Sequence, residues 1–141
     1  MDILLVEDNP ADARLVREAL AESDVTADLH WVSSGEDALR FLRNSAPYLD
    51  SPTPDLVLLD LNLPGLKGQE VLSEIKRDPA LLSIPVVVLT SSGARQDVLD
   101  AYGAHVNSYV IKPKDFDQFL SLVSTIRAYW LTSATLPTRV G

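Results

Sequence analysis

The 141-residue chain contains no cysteine. That excludes disulfides, thiolate zinc sites, cysteine-ligated iron–sulfur clusters and cysteine nucleophiles at once. Histidine is scarce: His30 and His105 alone cannot build a histidine-rich metal cage. No apolar run approaches the ~18 residues that a membrane-spanning helix needs. The opening Met1-Asp2-Ile3-Leu4-Leu5-Val6 has no basic n-region and is too short for a signal peptide. A cytoplasmic protein with no membrane partner is the expectation. Positive charge is also short, with 12 Lys and Arg against 20 Asp and Glu and a formal net charge of −8. Nucleic-acid binding relies on phosphate neutralisation, and the few basic residues are scattered, so nucleic acid is not an expected partner.

What remains is an ordinary globular composition, 46% hydrophobic and 23% charged, of a length that suits one domain. Short apolar runs alternate with amphipathic stretches. Ile3–Val6, Leu56–Leu59, Ile84–Leu89 and Tyr109–Ile111 are continuous rather than alternating, as strands covered on both faces should be. Val25–Val32, with polar Thr26, Asp28 and His30 interleaved, reads as an edge strand. Asn9-Pro10 places a capping side chain before a proline at the first helical position, and Ala11, Leu15 and Ala19 then recur every fourth residue. Ser34 caps a second helix through Leu42. A third runs from about Lys67 to Arg77, stopped by Asp78-Pro79. A fourth covers about Arg95–Tyr102 and ends at Gly103. The fifth, from about Asp115 to Trp130, carries a core stripe of Phe116, Phe119/Leu120, Val123, Ile126 and Trp130. Strand and helix repeated five times predict an α/β fold, a five-stranded parallel doubly wound sheet with five helices. Residues 1–131 form the domain, and residues 132–141 are a tail with no room for an output domain. The proline-bearing loop Pro47–Pro54 reads as a stiff surface connection.

In open α/β sheets, ligands gather at the carboxyl ends of the strands. Strand one ends in Glu7-Asp8, strand three in Asp60-Leu61-Asn62, strand four in Thr90-Ser91-Ser92, and strand five in Lys112-Pro113. Each is ordinary alone: an acidic pair at a helix N-terminus, a turn-forming aspartate, hydroxyl caps, a solvated lysine. Gathered on one rim they are not. Two carboxylates ~4 Å apart repel by roughly 4 kcal/mol at an effective dielectric of 20. A hard divalent cation relieves such a cluster, and Mg²⁺ suits few carboxylates, waters and phosphate oxygens.

The combination Glu7-Asp8, Asp60, Thr90 and Lys112-Pro113 resembles the receiver domain of two-component response regulators, a flavodoxin-like fold, over about residues 2–130. The resemblance implies that Asp60 is the phosphoacceptor. Asp8 and Asp60 would be metal ligands, Glu7 would act through metal-bound water, and the Asn62 backbone carbonyl would complete the set. Thr90, Ser91 and Lys112 would hold phosphoryl oxygens, with Thr90 and Tyr109 forming the switch. The Lys112–Pro113 bond would be cis. His105-Val106-Asn107-Ser108-Tyr109, the loop Pro47–Pro54 and the ending from Ala128 further resemble the small regulators that partner phytochrome histidine kinases. His105 itself reads as a turn residue tolerating positive φ.

The implied function is acceptance of a phosphoryl group from a sensor histidine kinase, with Mg-dependent self-phosphorylation and autodephosphorylation but no enzyme activity on another substrate. Signal would leave by protein contact, including passage to a downstream phosphotransfer protein. Rival readings fit less well. A phosphate-cradling flavin loop needs backbone donors where Glu7-Asp8-Asn9-Pro10 offers acids and a proline. An aspartate phosphatase needs a second acid where Asp60-Leu61-Asn62 has none, and no G-x-x-x-x-G-K-[ST] loop occurs. An unphosphorylated receiver-like interaction module is the remaining alternative, opposed by the completeness of the strand-end set. Val98 and Tyr102 on the fourth helix, with Leu122 and Tyr129 on the fifth, exceed what one buried face requires and mark a homodimer face.

Overall fold

The continuous apolar runs become adjacent strands. The computed structural model describes residues 1–22 and 26–140. In chain order the elements are β1 (Asp2–Val6), α1 (Pro10–Ala21), β2 (Asp28–Val32), α2 (Gly35–Leu42) and β3 (Leu56–Leu59). There follow α3 (Gly68–Arg77), β4 (Val86–Thr90), α4 (Arg95–Gly103), β5 (Ser108–Ile111) and α5 (Phe116–Arg127). The sheet is parallel, in the order β2-β1-β3-β4-β5. Strand residues divide strictly between its two faces. Leu4, Val6, Val57, Leu59, Val86 and Val88 pack with α2, α3 and α4. Ile3, Leu5, Leu56, Leu58, Val87 and Leu89 pack with α1 and α5. A sheet buried on both faces needs apolar residues at every position, which is why these runs do not alternate.

Strand limits follow local chemistry. β4 begins at Val86 rather than Ile84, because Pro85 has no N–H for the ladder; its carbonyl still accepts from Val57 N–H at 3.0 Å. β2 is the edge strand as expected and starts at Asp28, while Val25 lies outside the described residues. The expected caps are present. Asn9 Oδ1 accepts from the Ala11 and Asp12 amides at 2.9 and 3.3 Å, and Ser34 Oγ accepts from Asp37 N–H at 3.1 Å. His105 adopts φ +71°, the left-handed conformation anticipated for it.

Two helix stripes need correction. In α1 the buried residues are Ala13, Val16, Ala19 and Leu20, whereas Ala11 is exposed and Leu15 only partly covered. A strict four-residue step drifts by about 40° per repeat around a helix of 3.6 residues per turn, so it slides off the buried face. In α5, Phe119, Val123 and Ile126 are buried and Leu120 and Trp130 partly so, but Phe116 is exposed. Phe116 opens the helix and precedes the turns that meet the sheet.

Residues beyond 131 also pack. α5 runs into a π-type turn over Ala128–Ser133, and Leu136 is 1% exposed. Buried Asp55, just before β3, then gathers the chain end. It accepts from Arg139 Nε at 3.0 Å and Nη2 at 2.9 Å, from the Thr138 hydroxyl, and from the Asp2 backbone N–H at 2.7 Å. Burial alone would raise the Asp55 pKa; the Arg139, Thr138 and Asp2 donors outweigh it and hold the carboxyl below its usual range. The folded pKa is therefore below the unfolded value of ~3.9, so this stabilisation is complete at neutral pH and is lost as pH falls through that region. Asp55→Asn should cost about 1–3 kcal/mol at pH 7 and flatten the acid limb of the stability profile, measured by denaturant unfolding between pH 3 and 7.

Candidate functional site

The strand order makes β1 the neighbour of both β2 and β3, a topological switch point whose carboxyl edge is open. Glu7, Asp8 and Asp60 meet there, each with a carboxylate oxygen within 4.8 Å of the others'. Glu7 and Asp60 are buried and Asp8 is exposed. Gly68 lets α3 start against this edge: a Cβ on it would lie 2.3 Å from the Asp60 carbonyl oxygen. Asp60 Oδ1 accepts from Asn62 N–H at 3.0 Å.

From β5, Lys112 crosses to the same cluster, its side chain 8% exposed. Its ammonium lies 2.5 Å from Glu7 Oε1, 2.9 Å from Asp60 Oδ2 and 2.9 Å from Asp12 Oδ2. The Lys112–Pro113 bond is trans, correcting the expectation; the cis X-Pro bond is Ala46–Pro47. The backbone already aims the lysine through Lys112 N–H, which donates to the Thr90 carbonyl at 2.8 Å, and three carboxylates hold its end. No cis bond is needed, and trans is the favoured isomer.

Charge within the cluster is uneven. Burial pushes the Glu7 carboxyl up to about 7, against the opposing pull of Lys112. Asp60 is also penalised by burial, but the Asn62 N–H and Lys112 more than compensate and hold it below the ordinary carboxylate range. Burial disfavours the Lys112 ammonium, yet Glu7, Asp12 and Asp60 raise its pKa well above normal. At neutral pH Asp60 is thus an ionised carboxylate facing a permanently charged ammonium. The donor set around Glu7, Asp8 and Asp60 is all oxygen and net negative, the chemistry of a hard divalent cation site.

The remaining predicted residues line the β4 and β5 edge. Thr90 is fully buried, with Asn62 Nδ2 at 3.5 Å from its hydroxyl and 3.3 Å from Ser91 Oγ. Tyr109 is partly buried and donates its hydroxyl to the Ser92 carbonyl at 2.7 Å, while Ser92 Oγ pairs with Asp97 of α4. Burial and the negative Asp97 and Asp60 raise the Tyr109 pKa, keeping the phenol a donor. Of the expected dimer-face residues, Tyr102 and Tyr129 are exposed and Val98 is half-buried. Leu122 instead packs against the α1/α5 core. Leu99, Ile111 and Phe116 add exposed apolar surface on α4, β5 and α5.

Two residues of the site escaped sequence reasoning. Asp12, in the first turn of α1, drew no reading from the sequence, and its contact with Lys112 comes from a residue 100 positions away. Trp31, on edge strand β2, donates its indole N–H to the Glu7 carbonyl at 2.7 Å, a contact between strands that periodicity does not reveal.

A family model of the response regulator receiver domain matches residues 3–124. The chain belongs to the response regulator receiver family. It is 47% identical over 135 residues to the response regulator Rcp1 of Synechocystis, covering 96% of this chain and 92% of Rcp1. A crystal structure of the Mn²⁺-bound form of Rcp1 superposes with a TM-score of 0.94 at 46% identity, covering 96% of this chain and 98% of that one. The phosphorylated cyanobacterial phytochrome response regulator RcpA gives a TM-score of 0.94 at 48% identity, covering 96% and 97%. The resemblance to the phytochrome-associated subgroup therefore holds, and the receiver fold is the one anticipated.

Because Trp31 is bonded to the Glu7 carbonyl, titration with a divalent cation should change its fluorescence. Trp130→Phe, which isolates Trp31, should keep the response, and Asp8→Ala should abolish it.

Proposed function

We propose that this receiver accepts a phosphoryl group from a sensor histidine kinase onto Asp60 in a Mg²⁺-dependent step. The observation that carries the reading is the setting of Asp60, buried at the end of β3 with the Asn62 N–H at 3.0 Å, the Lys112 ammonium at 2.9 Å and the Glu7 and Asp8 carboxylates beside it. Asp60 is held ionised by Asn62 N–H and Lys112, while neighbouring Glu7 is pushed up to about 7. An ionised, positioned carboxylate is the nucleophile that phosphoryl transfer needs.

In that step an Asp60 oxygen forms the new O–P bond as the P–N bond of a phosphohistidine breaks, and the electron pair stays on the imidazole nitrogen. Asp8, Asp60 and the Asn62 carbonyl would hold the Mg²⁺, with Glu7 acting through water, and the bound ion would supply charge neutralisation for the phosphoryl oxygens. Lys112 neutralises from the other side, and the Thr90 and Ser91 hydroxyls donate to the arriving oxygens. Such transfer is mostly positioning and electrostatics, so small phosphodonors can replace the kinase in self-phosphorylation. Autodephosphorylation, in which water bonds to phosphorus as the Asp60 O–P bond breaks and inorganic phosphate leaves, would return Asp60 to its carboxylate. Movement of Thr90 towards the phosphoryl group would free space for Tyr109, whose hydroxyl bond to the Ser92 carbonyl would be the contact exchanged.

The similarity to RcpA supports a phytochrome-type kinase as partner. No helix among the described residues is long and apolar enough to cross a membrane. Signal would leave through protein contact, to a downstream phosphotransfer protein or a second copy of this chain. The exposed Tyr102 and Tyr129, with half-buried Val98, are the residues we assign to the homodimer face.

Mass spectrometry after incubation with a small phosphodonor and Mg²⁺ should show one added phosphoryl group on the wild type and none on Asp60→Asn. A label that persists in Asp60→Asn refutes the assignment. In sedimentation at micromolar concentration the phosphorylated wild type should be dimeric and Tyr102→Asp monomeric. A monomeric wild type in both phosphorylation states would refute the dimer.

A further inference from the structure

The Lys112 ammonium has three N–H donors, and all three are engaged: by Glu7 Oε1, Asp12 Oδ2 and Asp60 Oδ2. A phosphoryl group on Asp60 presents new acceptor oxygens beside this saturated ammonium. The lysine can donate to them only by withdrawing a hydrogen from a present partner. The three partners differ in what release costs. Once phosphorylated, Asp60 is no longer a carboxylate and its share of the ammonium passes to the phosphoryl oxygens, so any further hydrogen must come from Glu7 or Asp12. Glu7 is 2% exposed, and removing the lysine from it leaves a buried carboxylate uncompensated. Asp12 is 26% exposed and stands in the first turn of α1, where water and the helix N-terminus both sustain its charge. Asp12 also lies outside the cluster formed by Glu7, Asp8 and Asp60.

We propose that Asp12 is a positioning residue that holds Lys112 in the unphosphorylated protein and gives it up to the phosphoryl group. The proposal rests on the reading of Asp60 as phosphoacceptor and Lys112 as its counter-charge. Asp12 then acts as a brake. It competes with phosphoryl oxygens for one lysine hydrogen, and its negative charge opposes the approach of an anionic donor. In exchange it keeps the ammonium oriented while the acceptor is empty.

Asp12→Asn keeps the side-chain size and removes the charge. With phosphoramidate and saturating Mg²⁺, this variant should label Asp60 about threefold to tenfold faster than wild type, the effect of relieving one partly exposed ion pair. Its apparent affinity for beryllium fluoride, a phosphoryl mimic, should rise by a similar factor. Asp12→Glu, which restores the carboxylate, should stay within about twofold of wild type in both assays. Thermal unfolding of each variant separates folding from function, since a merely structural Asp12 would shift the midpoint and leave beryllium fluoride affinity at the wild-type value. An Asp12→Asn protein that labels no faster than wild type and binds the mimic no tighter overturns the proposal. So does an Asp12→Glu protein that accelerates equally. A wild type that takes no label on Asp60 overturns the phosphoacceptor reading itself.

Discussion

Lys112 is what allows carboxylates from β1, α1 and β3 to share the end of one sheet. Glu7 and Asp60 are both buried, and either would be costly as an unpaired charge in that position. One ammonium within 2.5–2.9 Å of Glu7, Asp12 and Asp60 meets the need. The same ion pairs tie β5 to β1 across two intervening strands, adding a polar link over a sheet whose interior is otherwise aliphatic. Site and fold therefore depend on the same side chain.

The electrostatics create an order of response. Asp60 stays ionised because its donors are local and fixed: the Asn62 amide belongs to its own turn, and Lys112 is anchored by its backbone bond to Thr90. Glu7 is buried more than it is compensated, so its proton is loosely held near neutrality. Exposed Asp8, on the outer side of the cluster, is the group that solvent reaches. The indole of Trp31 extends the same arrangement to the edge strand, fixing the Glu7 carbonyl from outside the cluster.

Much of this was readable from residue order. Continuous apolar runs located β1, β3, β4 and β5, and the polar residues that end them located Glu7, Asp60, Thr90 and Lys112, because a doubly wound sheet confines open surface to strand ends. What was not readable depends on contacts between distant segments. Ala11 and Leu15 matched a helical spacing, but the sheet selects Ala13 and Val16 as the inner face. Asp12 belongs to the site only because Lys112, 100 positions away, stands beside it. The trans Lys112–Pro113 bond is the ordinary X-Pro preference, and the expectation of cis came from the family resemblance alone. The segment after Ser133 is held by Asp55, a residue between the proline-bearing loop Pro47–Pro54 and β3 that nothing in the sequence singles out.

Asp55 lies just before β3 and binds the first residue of β1, so Thr138 and Arg139 grip the two strands whose far ends carry Glu7 and Asp60. In a parallel sheet this places the N-terminal strand end and the C-terminal turn at one pole and the acidic pocket at the other. A fused domain, a fluorophore or a solid support joined at Arg139 or beyond would project from the pole opposite the pocket. A protein arriving to exchange phosphate would meet an unobstructed face.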